Sequence, residues 1–164
     1  MKSSFAPVLL AVLISASFSL AAEAVTKKTG DIPMVLKEHP SFRKLTMAID
    51  SAGLTSMLRN KGPFTLFAPT DAAFAKIPKK DLIELRKPEN KSKLAELLSN
   101  HVVKGMHLAA DLKKVKSLRS LEGKAFSIKN LKGFVQIESA TVVMPDIKAS
   151  NGVIQGIDTV LRPK

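Results

Sequence analysis

Cysteine is absent from all 164 residues of this chain, and so are tryptophan and tyrosine. Without a thiol there is no disulfide, no cysteine-ligated metal, no sulfur nucleophile and no redox pair. The fold must be held by packing. The missing Trp and Tyr remove the rings on which nucleic-acid modules stack bases, which argues against nucleic acid as a partner. Histidine is limited to His39, His101 and His107. They show no His-x-x-x-His spacing, and no carboxylate repeat resembles a calcium loop. No Gly-rich loop follows a strand candidate, so neither a cofactor nor a metal is expected. Beyond residue 20 no run is long and apolar enough to cross a bilayer.

The first residues read as an export leader. Lys2 gives a positive start, residues 8–20 form an apolar core, and Ala22-Glu23-Ala24 supplies an Ala-x-Ala cleavage site. Ser19-Leu20-Ala21 is the other option. The apolar core falls short of the ~20 residues of a spanning helix. No Cys follows it to carry a lipoprotein anchor. The expected division is a signal peptide at 1–24, a linker at 25–30 and one domain at 31–164, secreted or periplasmic and monomeric.

Positive charge is in excess, with 26 Lys and Arg against 14 Asp and Glu and a formal net charge of +12. Cleavage would remove Lys2 and Glu23 together and leave that balance unchanged. Between residues 113 and 132, Lys113, Lys114, Lys116, Arg119, Lys124, Lys129 and Lys132 face Glu122 alone. Such a surface attracts polyanions, over a Debye length of about 8 Å at physiological salt. An acidic polysaccharide or lipid suits an exported chain. Surplus Lys that only maintains solubility is the plainer explanation.

Periodicity divides the chain. Asp31-Ile32-Pro33 opens a helix with Asp as its cap. Ser41 is placed as the cap of a second helix carrying Phe42, Leu45, Ala48, Ile49 and Ala52, which Gly53 stops. Residues 54–58 add a turn or two, and residues 80–86 a short helix. Residues 90–102 form the clearest helix, with Leu94, Leu97, Leu98 and His101 at i, i+3, i+4 and i+7. From there the period shifts toward two. Strand candidates lie at 106–108, 117–121, 125–129, 134–138, 141–143, 146–148, 153–155 and 157–161. Glu122-Gly123, Lys132-Gly133 and Asn151-Gly152 supply turns, the last read as a hairpin turn with positive φ. Helices first and strands later make an α+β domain.

Catalytic patterns are thin. Ser41-Phe42-Arg43-Lys44 fits Ser-x-x-Lys and Lys28-Thr29-Gly30 fits a second serine-acylase motif, but in reversed order and without Ser-Asp-Asn between them. Ser41 is better read as a helix cap. His101, on the apolar stripe of the best helix, is read as a core histidine needing a hydrogen-bond partner.

Two segments carry a resemblance. Thr65-Leu66-Phe67-Ala68-Pro69-Thr70-Asp71-Ala72-Ala73-Phe74 is a buried strand turning at Pro69 into a helix capped by Thr70. Asp146-Ile147-Lys148-Ala149-Ser150-Asn151-Gly152-Val153-Ile154-Gln155-Gly156-Ile157-Asp158-Thr159-Val160-Leu161 lies eighty residues on. With Leu97-Leu98-Ser99-Asn100-His101-Val102-Val103-Lys104-Gly105 between them, they resemble the motifs of the fasciclin-like domain, a secreted or surface adhesion module. The resemblance runs from about Asp31 to Pro163. It implies N-terminal helices packed on a mostly antiparallel β-sandwich or wedge. It also implies a role in binding cell-surface or matrix macromolecules.

His101 resembles the His of a Tyr-His element linked to adhesion in animal members, although Asn100 stands where the Tyr would be. Asp146 and Ile147 resemble the Asp-Ile element that animal domains use on integrins. In relatives, His and Val often stand where Gln155 and Gly156 do here, and a glycine within that strand points to a bulge or a close backbone approach. Phe67 and Ile154 are expected to share one compact nucleus. The reading is a non-enzymatic binding module, with Asn100, His101, Asp146, Ile147, Lys113, Lys114, Lys116 and Arg119 as candidate partner-binding residues. A carrier of a small apolar ligand, a serine hydrolase and a purely structural secreted protein with no discrete site are the alternatives.

Overall fold

The computed structural model describes residues 29–60 and 62–162. The leader at 1–24, most of the linker and the last two residues lie outside the described residues. Asp31 caps α1 (Ile32–Glu38), its Oδ1 accepting from the Met34 N–H at 3.0 Å. A 3₁₀ turn at Pro40–Phe42 then leads into α2 (Arg43–Ala52). Ser41 is not the cap that was expected. It lies inside the turn, where its N–H donates to His39 Nδ1 at 3.3 Å. The first turn of α2 is capped from a distance instead, the Lys44 N–H donating to Asp71 Oδ1 at 2.8 Å. Gly53, at φ 74°, stops the helix as anticipated.

α3 (Thr55–Arg59) and β1 (Phe64–Pro69) follow, then α4 (Asp71–Ala75), whose cap Thr70 accepts from the Ala73 N–H at 3.2 Å. α5 (Lys79–Arg86) and α6 (Lys91–Ser99) complete the helical half. Helix α6 ends three residues before the expected boundary, and Val102 is already the first residue of the next strand. β2 (Val102–Lys104) follows directly, and the strand expected at 106–108 is loop leading into α7 (Ala109–Leu112).

The remaining strands are β3 (Ser117–Arg119), β4 (Ala125–Leu131), β5 (Phe134–Ile137), β6 (Ala140–Ala149) and β7 (Gly152–Ile157). The two segments at 141–143 and 146–148 are thus one strand, and register shifts against β7 divide it. One shift faces Gly156, where an added Cβ would lie 2.7 Å from Met144 Cβ and 3.2 Å from the Phe42 ring. Close approach of neighbouring chain is what requires the glycine there.

The strands form one seven-stranded sheet in the order β2-β1-β7-β6-β5-β4-β3. Only β1 and β7 run parallel, with Leu66 beside Ile154 and Phe67 beside Gln155. The sheet curls until its edges meet. Val103 bridges Ser120, and the Leu121 N–H donates to the Val102 carbonyl at 2.8 Å. The α+β class and the mostly antiparallel sheet stand, and the sandwich takes the form of this near-closed sheet.

Alternation along β1 sends side chains to two cores. Leu66 and Ala68 join Ile154 and helix residues Leu45, Ile49 and Leu98 on one face. Phe67 joins Phe126, Val135, Ile137 and Ile157 inside the curl. Phe67 and Ile154 therefore do not share a nucleus. They sit one register step apart on adjacent strands, and a single step reverses the face.

Asn151-Gly152 is not a turn with positive φ. Asn151 is an anchor. Its Oδ1 accepts from the Ile32 N–H at 3.0 Å, and its Nδ2 donates to the carbonyls of Leu58 (2.6 Å) and Asn60 (3.0 Å). Asn151→Ala is expected to lower unfolding free energy by about 1–3 kcal/mol, since three backbone groups lose a partner. Ser150→Ala, at an exposed neighbour, should stay within about 0.5 kcal/mol of the parent. Urea titration of the two variants checks this.

Candidate functional site

The candidates of the sequence fall into an interior joint, a clamp and a cationic surface. Asn100 and His101 are fully buried at the end of α6. Asn100 Nδ2 donates to the Glu96 carbonyl at 3.0 Å, and its Oδ1 accepts from Ser120 Oγ at 3.1 Å. His101 Nδ1 lies 2.7 Å from the Leu97 carbonyl, and its Nε2 accepts from the Leu161 N–H at 3.0 Å. An acceptor at Nε2 and a carbonyl at Nδ1 require the neutral ring with its proton on Nδ1. The His101 carbonyl meanwhile accepts from the Phe67 N–H at 2.8 Å. One residue thus ties helix α6, strand β1 and the C-terminal segment together. Burial pushes its pKa down from 6.5 to about 4, opposed by the bond to Leu97. Both residues leave the candidate contact surface: their polar atoms are used inside the protein.

Asp146 and Ile147 form the clamp. Asp146 is exposed, at φ 55°, in the irregular middle of β6. Its Oδ1 accepts from the Ala109 N–H and from Gln155 Nε2, each at 2.8 Å. Its N–H donates to Gln155 Oε1 at 3.1 Å, while Gln155 Nε2 also donates to the His107 carbonyl at 3.0 Å. Buried Gln155 thereby stands under Asp146 and holds the 107–109 loop against β6. Ile147 is half-buried and packs on the helix-side core. The apolar half of the supposed Asp-Ile hook is turned to structure. Gln155 was noted in the sequence only as a departure from relatives; its role appears once the bulge in β6 is known.

Lys113, Lys114, Lys116 and Arg119 are all exposed, as are Lys129 and Lys132. Among the described residues none of them forms a salt bridge, whereas Lys76, Lys87 and Arg162 each hold a carboxylate. The Ile128 N–H donates to the Lys116 carbonyl at 2.8 Å, so the basic loop before β3 runs along β4. Arg119 pairs with Ala125 and lies on the same outer face as Lys129, since both sit at the exposed phase of their strands.

Two grooves remain. One, of about 790 Å³, runs past Ile77, Lys124, Phe126, Glu138 and Arg162. The other, of about 150 Å³, is apolar and lies among α2, α5 and α6, with Met47, Phe74, Leu94 and His101 on its walls. No group of three or more His, Asp or Glu is placed to hold a metal among the described residues. The hydroxyl of Ser41 meets no base there either, His39 Nδ1 being occupied by the Ser41 N–H.

Comparison with known proteins agrees with this geometry. Residues 40–163 match the Fasciclin domain family. The chain belongs to that family. Protein sll1483 of Synechocystis is 39% identical over 145 residues, covering 88% of this chain and 80% of its own. Transforming growth factor-beta-induced protein ig-h3 of Sus scrofa is 35% identical over 139 residues, covering 85% of this chain but 20% of its own length. The solved fasciclin domain pair of the insect cell adhesion molecule Fasciclin I superposes with a TM-score of 0.71. It is 18% identical and covers 82% of this chain and 51% of that one, which fixes the fold alone. The fasciclin fold of this chain supports a module that works by contact, and no catalytic family is indicated. No helix among the described residues is long and apolar enough to cross a membrane.

The buried imidazole makes stability depend on pH. An unfolded His101 takes up a proton near 6.5 and a folded one only near 4. Its contribution is complete above 6.5 and is lost as pH falls from there toward 4, by on the order of 3 kcal/mol. In His101→Gln, urea midpoints should decline less steeply between pH 6.5 and 4.5 than in the parent; parallel profiles would contradict the assignment. Asp146→Ala should cost about 0.5–1.5 kcal/mol of stability through the hydrogen bonds it removes, and an unchanged urea midpoint would return Asp146 to the surface candidates.

Proposed function

We propose that this fasciclin domain is an exported, non-catalytic binding module that holds an anionic component of the cell envelope or matrix through its basic surface. The observation that carries this reading is the set of exposed, unpaired cations at Lys113, Lys114, Lys116 and Arg119, extended by Lys129 on the neighbouring strand. Unpaired cations on one face attract a polyanion without a shaped pocket, and the attraction weakens with salt. The interior joint and the clamp at Asp146 hold that face in place.

The apolar groove is the observation that favours a carrier. Its volume of about 150 Å³ suits a ring the size of benzene. Sites for drug-sized ligands occupy about 300–1,000 Å³. The contact reading accordingly stands ahead of it.

Retention of the purified protein on immobilised acidic polysaccharide, lipid and peptidoglycan, across a sodium chloride series, tests the proposal. Retention is expected to fall steadily with salt. Reversing Lys113, Lys114 and Lys116 to Glu should weaken it by roughly tenfold or more at low salt, with little effect on folding because all three are exposed. Salt-independent retention, or no retention on any polyanion, would overturn it.

A further inference from the structure

Three large apolar side chains stand exposed on the outer face of the curled sheet: Leu131 at 51%, Phe134 at 62% and Val143 at 50%. Leu131 and Phe134 are directly paired across the β4–β5 hairpin. Gln136 faces Thr141 in the next pair of strands, so Val143, two residues further along β6, lies on the same outer face. The result is an apolar pair at the tip of the β4–β5 hairpin, which turns at Lys132 (φ 50°) and Gly133 (φ 87°), with Val143 on the same face of the next strand.

Cations stand beside this group. Lys132 occupies the turn itself, and Lys129 is two residues before Leu131 on the same face. Lys116 touches the stem at Ile128, which is three residues from Leu131 and so about 10 Å away. An exposed hairpin tip with apolar side chains beside Lys129 and Lys132 matches the composition of a membrane-interface anchor, in which apolar insertion and attraction to anionic headgroups act together.

We infer that the tip at Leu131, Phe134 and Val143 docks on an anionic lipid bilayer. The inference rests on the reading that the basic surface is the contact surface, and it names the polyanion. Charge decides against a second copy of the chain, since two such tips would bring like-charged clusters together. Size decides against it too, because three side chains fall short of the ~800 Å² per partner of a stable interface. A bilayer needs neither a matching shape nor that area. An acidic polysaccharide would use the cations and leave Phe134 idle.

The chain has no tryptophan, so Phe134→Trp introduces a single indole at the tip. The purified protein is mixed with vesicles of phosphatidylcholine alone, or of phosphatidylcholine and phosphatidylglycerol in equal parts. Co-sedimentation is expected with the mixed vesicles only, with a blue shift of the indole emission. Leu131→Ser combined with Phe134→Ser should reduce sedimentation by about tenfold or more, while salt-sensitive retention on an acidic polysaccharide column persists. Sedimentation with an unshifted indole, or full sedimentation of the double serine variant, would overturn the inference. So would a blue shift that grows with protein concentration in the absence of lipid, which marks self-association. Salt-sensitive retention on the polysaccharide without vesicle binding would overturn the bilayer and leave the basic contact surface standing. Loss of both would remove the two together.

Discussion

The fold turns on a neutral imidazole enclosed at the junction of helices and sheet. His101 reaches the Leu97 carbonyl with one ring nitrogen and the Leu161 N–H with the other, and its own carbonyl receives the Phe67 N–H. An ion is disfavoured in that place, because burial penalises the charged form and the Leu161 N–H needs a bare Nε2 as its acceptor, while the Leu97 carbonyl would accept from either form. The same joint bonds both β1, at Phe67, and the segment after β7, at Leu161, beside the parallel pairing of those strands. With no disulfide in the chain, such polar joints inside a packed core take over the task of fixing separate elements.

That constraint bears on the proposed role of the outer surface. Asn100, His101 and Gln155 are buried and satisfied, and Asp146 holds the α7 loop. What stays available for recognition is what the core does not need: the cations around β3 and β4, and the apolar side chains beside them. Fasciclin domains with the same interior could therefore differ in what they hold through outward-facing strand positions alone. A scaffold of this kind changes partners without changing its fold.

Much of the helical half was legible because its signals are local. Asp31 and Thr70 cap helices, Gly53 ends one, and the turn at Pro69 stands as read. Ser41 misled because the group that caps α2 is Asp71, twenty-seven residues away. His101 followed helical spacing because it continues the face of Leu94, Leu97 and Leu98, while its bonds to Leu161 and β1 lie far off in sequence and were not readable. The partition of Phe67 and Ile154 was not readable, since alternation gives opposite faces along one strand but not the register between two. The charge around residue 116 was visible at once, because a run of Lys is exposed in almost any fold. Leu131, Phe134 and Val143 could not be recognised as exposed. Their alternation gives them a face, and only the closed sheet shows that nothing among the described residues covers it.

The ring nitrogens of His101 report most directly on whether the interior is reserved for structure. Nitrogen-15 resonances of the imidazole should show a protonated Nδ1 and a bare Nε2, essentially unchanged through the region near 6.5 where a free imidazole titrates and shifting only as pH approaches 4. A ring that titrates near 6.5, or that carries its proton on Nε2, would contradict the joint on which the account is built.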